Sequence, residues 1–344
     1  MQFKRTLTIF AFVVQAFLAL GVFAQSLTTA KYAGEFLSTG AGARALGMGG
    51  TSAAFANDVS AVYWNAAGLS ALEYPEALFM HAQRFSGIVK FNFGAVALPY
   101  GKNATLGLGV IRLGVDDIPF TLLPRSDLAL GEAYEEDGVT RINSPFAAEY
   151  FSDAEYGFFL SYGKRKSENF SYGGSVKIVH KAFHDVSAWG IGFDIGAQGK
   201  VGDKLLVGAN FQDVTTTILA WNTGRKELIV PTLKIGAALP LKAEFLKGVL
   251  MPAVDADIRF EGRDFAAEFA AGPASLDYHA GLEYVLQEKI ALRAGSDAGY
   301  FSAGAGLHLP KLQVDYAFMS HSDLGDTHRI SVHLTISEPK YRRK

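Results

Sequence analysis

Catalysis needs nucleophiles, general bases or metal ligands at usable spacing, and this chain offers few of them. It has no cysteine, which excludes thiol chemistry, thiolate metal sites, disulfides and a lipidated N-terminal cysteine. The Gly-rich run from Gly40 to Gly50 does not match G-x-G-x-x-G, and no strand pattern precedes it. It also lacks the Lys-Ser/Thr of a phosphate loop. Neither G-x-S-x-G nor H-E-x-x-H occurs. The eight histidines are scattered. His328 and His333 are five apart on an alternating segment, so they face opposite ways and cannot share a metal. His180 reads as an outward residue near a strand end, and no serine is placed to pair with it. The inward set is ionic: Asp255, Asp257 and Arg259 share a strand face, and Asp194, Glu283, Arg293, Asp315 and Arg329 point the same way. Mixed signs predict a salt-bridged interior. The expectation is a non-catalytic protein with no cofactor, no metal site and no nucleic-acid partner.

The elements that must carry these residues follow from composition and periodicity. Residues 1–24 have a basic start at Lys4 and Arg5, an apolar run from Leu7 to Leu20 and a small exit at Val22-Phe23-Ala24. They read as a signal peptide cleaved after Ala24. The remaining chain has 30 basic against 34 acidic residues, a net charge of −4, which disfavours nucleic acid. Hydrophobic residues make up 49% of the chain, with 37 Gly, 26 Phe and 14 Tyr, yet no apolar run beyond residue 24 approaches the length of a membrane helix. A closed barrel is the remaining way to satisfy every backbone group in lipid.

Alternation supports a barrel. Tyr278, Ala280, Leu282, Tyr284 and Leu286 oppose His279, Gly281 and Glu283. Leu312, Val314, Tyr316 and Phe318 oppose Lys311, Gln313 and Asp315, and Ile330, Val332, Leu334 and Ile336 oppose Arg329, Ser331, His333 and Thr335. Extending the pattern predicts about fourteen strands, near 76–85, 87–99, 103–113, 154–164, 169–183, 186–200, 204–212, 229–240, 249–261, 275–286, 288–297, 299–309, 311–320 and 327–337. The fold class is thus all-β, a transmembrane antiparallel barrel. Its long connections, 114–153, 213–228 and 262–274, all follow odd-numbered strands, as expected when long loops lie outside and short turns lie in the periplasm. The organisation is a signal peptide (1–24), an N-terminal hatch (25–75), a barrel (76–337) and a periplasmic tail (338–344).

The segment from Tyr32 to Ala71 lacks alternation but is too apolar for a disordered tail, so it is expected inside the barrel as a plug. Within it, Gly42-Ala43-Arg44-Ala45-Leu46-Gly47-Met48-Gly49-Gly50 and Tyr63-Trp64-Asn65 resemble the N-terminal signature of the PorV/PorQ family, part of the wider group of FadL-like barrels. Asn210 to Ala238 is similar to a strand, loop and strand of the same family. One departure is Ala66, where the family usually has proline, although Gly68 and Leu69 keep the rest of that motif. The resemblance implies a hatch motif at Gly42, Arg44, Gly47, Gly49, Gly50, Trp64, Asn65 and Gly68. It also implies an outer-membrane location and one of two roles. One is an accessory or shuttle in type IX protein secretion, holding a translocon or cargo at the outer loops. The other is FadL-like passage of long-chain fatty acids or other hydrophobic molecules. From the residues themselves, the acidic long connection offers Asp116, Asp117, Phe120, Glu135 and Glu136 as a lid or docking surface, and the next offers Trp221 and Asn222. Membrane lipid is the remaining expected partner.

Overall fold

The computed structural model describes residues 33–260, 267–321 and 325–343. The expected signal peptide, Tyr32 and the first residues of the 262–274 connection lie outside them. Fourteen strands form the wall. They are β1 (Glu76–Arg84), β2 (Val89–Tyr100), β3 (Ala104–Leu122), β4 (Phe146–Ser167), β5 (Phe170–Phe183), β6 (Val186–Val201), β7 (Leu205–Gln212), β8 (Thr232–Ala238), β9 (Gly248–Arg259), β10 (Ala274–Leu286), β11 (Ile290–Asp297), β12 (Tyr300–His308), β13 (Leu312–Met319) and β14 (Thr327–Thr335). Each pairs antiparallel with the next, and β14 closes on β1 from Glu76↔Thr335 to Gln83↔His328. Closure leaves no free sheet edge.

The alternation falls as expected. Phe79, Leu98, Leu108, Leu160, Ile191 and Ile330 are exposed on the outer face, whereas Asp194, Asp255, Asp257, Glu283, Arg293, Asp315 and Arg329 are buried on the inner one. An apolar exterior over a polar interior is the inverse of a water-soluble barrel and suits a hydrocarbon surround. Trp189 and His180 stack outward at 4.0 Å between ring centres, His180 thereby taking the interface position.

The expected forty-residue connection from Gly114 is shorter than the sequence reading gave. The strands β3 and β4 run on as a ribbon, Ile118 opposite Phe151 and Leu122 opposite Phe146, with register shifts at Val115/Ile118 and Phe120/Thr121. Apolar residues that read as a lid therefore satisfy their backbone by pairing, and only 123–145 remains as connection, itself carrying the hairpin Ala133–Glu136/Val139–Ile142. The connection after β7 likewise folds back, Thr217–Trp221 adding to the upper part of β6 beyond the reach of the eight-residue β7. Turns at the opposite end, where β1 starts and β14 finishes, are short apart from residues 239–247.

Candidate functional site: a hatch seated in the lumen

Residues 33–71 lie inside the barrel and fill it. Short helical turns at Glu35–Ser38, α1 (Ala43–Leu46), α2 (Ala61–Trp64) and Ala66–Ala71 are joined by glycines in the left-handed region, Gly40, Gly42, Gly49 and Gly50. Such tight reversals suit glycine because a side chain would clash there. The turn at Asn65 forms without the family's proline. Asn65 is extended, its Oδ1 accepts the Ala67 N–H at 3.2 Å, and a 3-10 turn starts at Ala66.

Glycines of the wall meet glycines of the hatch. A methyl group built on Gly68 would lie 1.7 Å from the Ala56 carbonyl oxygen, and one on Gly49 2.3 Å from that of Ser296. On the wall side, Gly163, Gly173, Gly208, Gly281 and Gly295 each admit hatch backbone that a side chain would displace. Much of the chain's high glycine content is therefore the mould for the hatch.

Polar locks hold it in register. Arg44 donates to both carboxylate oxygens of Glu283, Nε at 3.0 Å and Nη2 at 2.8 Å, and also to Asn57 at 3.1 Å. Arg293, on β11, donates to the same Glu283 at 2.7 Å and to Asp315 at 2.7 Å. The Asp255 carboxylate accepts the backbone N–H groups of Ser52 and Ala53 at 2.7 and 2.8 Å. Asn65 Nδ2 reaches the carbonyls of Ala53, Ala197 and Ala209, and Asn210 donates to the Trp64 carbonyl at 2.8 Å. Trp64 donates to Ala41 O at 2.6 Å, while the Tyr63 hydroxyl donates to Leu37 O and accepts from Gly40 N. At the terminal end Arg343 clasps the Leu72 carbonyl and Thr105, and Arg165 holds Ser70 O.

The lumen is two-sided. From β5 to β14 the inner wall carries paired charges: Lys177 with Asp194 and Asp213, Lys234 with Asp257, and His279 with Asp297. Along β1 and β2 it is apolar for the length of the strands, with Leu78, Met80 and Ala82 beside Phe91, Phe93, Ala95 and Ala97, bounded by Glu76 and Arg84. Against this stripe and Ile111 and Phe159 pack Val62, Tyr63, Trp64 and Leu69 of the hatch. What remains empty is small. One cavity of about 30 Å³ lies between Leu37, Tyr63, Phe159 and the Lys177 cluster, and another of about 20 Å³ lies near Arg44 and Ser331. Each has room for little more than a water.

All eight expected hatch residues thus meet in the lumen. The expected loop residues do not form one surface. Asp116 pairs with Lys90 and Arg112, and Asp117 sits at a bulge with φ of +58°. Glu135 and Glu136 bind Thr140 and Arg141 within their own hairpin. Phe120 stacks on His184, and Asn222 ties its loop to Ser187 and Asp185, so these two share a neighbourhood with the β5–β6 turn. Trp221 lies close to them at the end of its added strand. The sequence reading missed Asp255, Asn210, Gln198 and Arg343 as hatch contacts, because only the closed barrel brings them within reach. Among the described residues no group of three or more His, Asp or Glu is arranged to hold a metal ion.

This geometry has relatives of known structure. The toluene transporter TbuX of Ralstonia pickettii superposes with a TM-score of 0.57 at 13% identity, over 86% of this chain and 98% of that one. A FadL homologue from Pseudomonas aeruginosa gives 0.55 at 12%, over 85% and 98%. The monoaromatic hydrocarbon channel CymD gives 0.57 at 13%, over 87% and 98%. The fold is that of a FadL-like barrel. No protein-family profile matches the sequence, and no curated protein does either, so the PorV/PorQ resemblance gains no support beyond its own residues. At such low identity the FadL-like likeness concerns architecture: fourteen strands around a lumen.

Proposed function

We propose that this chain is a non-catalytic outer-membrane barrel that lets hydrophobic molecules pass, with residues 33–71 as its gate. The observation that carries the reading is the apolar stripe along β1 and β2, which the hatch covers with Val62, Tyr63, Trp64 and Leu69. A salt-bridged lumen alone would give an apolar solute few contacts. This stripe supplies them along the height of the wall, and binding there is driven by area removed from water. Transport channels as structural neighbours favour the same reading over an enzyme. No finding supports type IX secretion, and several of the loop residues nominated for a protein partner are engaged by neighbours within this chain.

The gate must yield, since the two lumen cavities described above are too small for any such solute. Two of the polar locks hold it shut: Asp255 on the Ser52 and Ala53 N–H groups, and Arg44 on Glu283. Cells carrying Arg44→Ala with Asp255→Ala, which remove both locks, should take up a monoaromatic or alkyl probe faster than cells with the wild type. Uptake indifferent to the locks, or equal uptake of sugars, would sink the proposal.

A further inference from the structure

Exposed charge is divided sharply between the two ends of the barrel. At the long-loop end the described residues include ten exposed acids and four exposed cations. At the end holding the short turns and the tail there are eleven exposed cations and six exposed acids. The cations at this end are distributed around the rim. Five of the six turns carry one, Lys102, Lys204, Lys242, Lys289 and Lys311 in chain order, Lys166 stands at the end of β4 beside the sixth, and the tail adds Lys340 and Arg342. Lys340 and Arg342 pair with Glu338 and Glu73, while among the described residues no ion pair forms at Lys102, Lys166, Lys204, Lys242, Lys289 or Lys311.

Apolar side chains stand beside these cations. Phe245, between Lys242 and Lys247, is 86% exposed, and Tyr100, two residues before Lys102, is 68% exposed. Tyr341 lies under the Lys340 ammonium at 4.6 Å. An exposed phenylalanine at a turn tip is unfavourable in water but favourable at the boundary of an acyl layer, where lysine stems lie along the apolar surface and their ammonium groups reach the headgroups. Cations spread around the rim, with apolar side chains beside several of them, match a planar layer of negative charge better than a single soluble partner.

We infer that the basic rim binds the anionic headgroups of glycerophospholipids, seating the terminal end of the barrel in a negatively charged leaflet. This rests on the membrane-barrel fold and not on what the lumen carries, so failure of the passage reading leaves it untouched. Attraction of this kind acts within about a Debye length, ~10 Å at 0.1 M salt, and is therefore salt-sensitive.

The test is lipid selectivity in reconstituted bilayers, read by electron paramagnetic resonance from spin-labelled phosphatidylglycerol and phosphatidylcholine in a phosphatidylcholine host. The wild type should favour phosphatidylglycerol about two-fold or more at low salt and approach no preference at 1 M NaCl, where the Debye length is ~3 Å. Changing Lys102, Lys204, Lys242, Lys247, Lys289 and Lys311 together to Gln should abolish the preference, while Glu132→Gln with Glu135→Gln at the other end should leave it unchanged. If the six-fold variant does not fold, the pair Lys242→Gln and Lys247→Gln should still lower the preference measurably. Equal affinity for the two lipids at low salt overturns the inference, as does a preference that survives salt or the rim substitutions. A protein that fails to float with vesicles would instead contradict the membrane-barrel reading.

Discussion

At the scale of single residues, the hatch is held by close backbone approach more than by side-chain bulk. Gly68 shows this best, because the obstacle to a side chain is the Ala56 carbonyl, which belongs to the packed hatch and cannot swing away. Gly68→Ala should weaken hatch docking by ~1–3 kcal/mol, the range for overpacking. Gly101, with open space around its Cβ and φ of +61°, should accept Asn at little cost. The check is protease sensitivity of residues 33–71 in barrels that keep their heat-resistant gel mobility. A Gly68→Ala hatch as protected as the wild type would contradict the packing argument. A second residue, His184, sets a pH dependence in the long-loop region. A hydrogen bond donated to the Glu149 carboxylate, then one to Asp185, raises its pKa above the ordinary imidazole value, and Asp185 is lowered in turn by His184. For a raised histidine the stabilisation is fully present below the unfolded value and is lost as pH rises through the folded one. Protection against hydrogen exchange around Phe120, Phe151 and the 184–185 turn, taken relative to the intrinsic base-catalysed rate, should therefore fall from pH 6 to pH 9, and Glu149→Gln should flatten that change.

At the scale of elements, the hatch and the strands divide the work. Fourteen strands bond to their neighbours around a closed ring, so the wall does not need the hatch for its backbone pairing. The described hatch has helical turns of only four to six residues and relies on the wall for its partners. Removing residues 33–71 should therefore leave a folded barrel and raise single-channel conductance in planar bilayers. An unchanged trace would mean that something else closes the lumen. The strands were legible because period-two alternation survives wherever one face meets lipid and the other a polar interior, and β10, β13 and β14 show it plainly. The β3–β4 ribbon was not. Its residues lie beyond the membrane, where neither face is consistently apolar, so Asp116 to Phe151 reads as loop.

At the scale of the whole molecule, two asymmetries define the protein. One runs around the lumen, apolar on β1 and β2 and ionic across β5 to β14, and it gives the proposed passage a track. The other runs along the axis, acidic at the long loops and basic at the short turns. Sidedness follows if the long loops face outward: cysteines placed at Glu135 and Trp221 should react with an impermeant reagent on intact cells, while one at Gly202 should not. The reverse pattern would invert the barrel and with it the leaflet that the basic rim addresses.

The sequence by itself determined the fold class, the strand number, the inward ionic set and the presence of an apolar, Gly-rich segment ahead of the wall, because these depend on periodicity and composition, which are local. Only the tertiary structure decided how the hatch sits, which acids receive its backbone N–H groups, and that one side of the lumen is free of charge. Asp255 is about two hundred residues from Ser52 and Ala53, and Glu283 about as far from Arg44. Contacts at that separation are set by ring closure, which brings β14 against β1 and places every inner face around one axis.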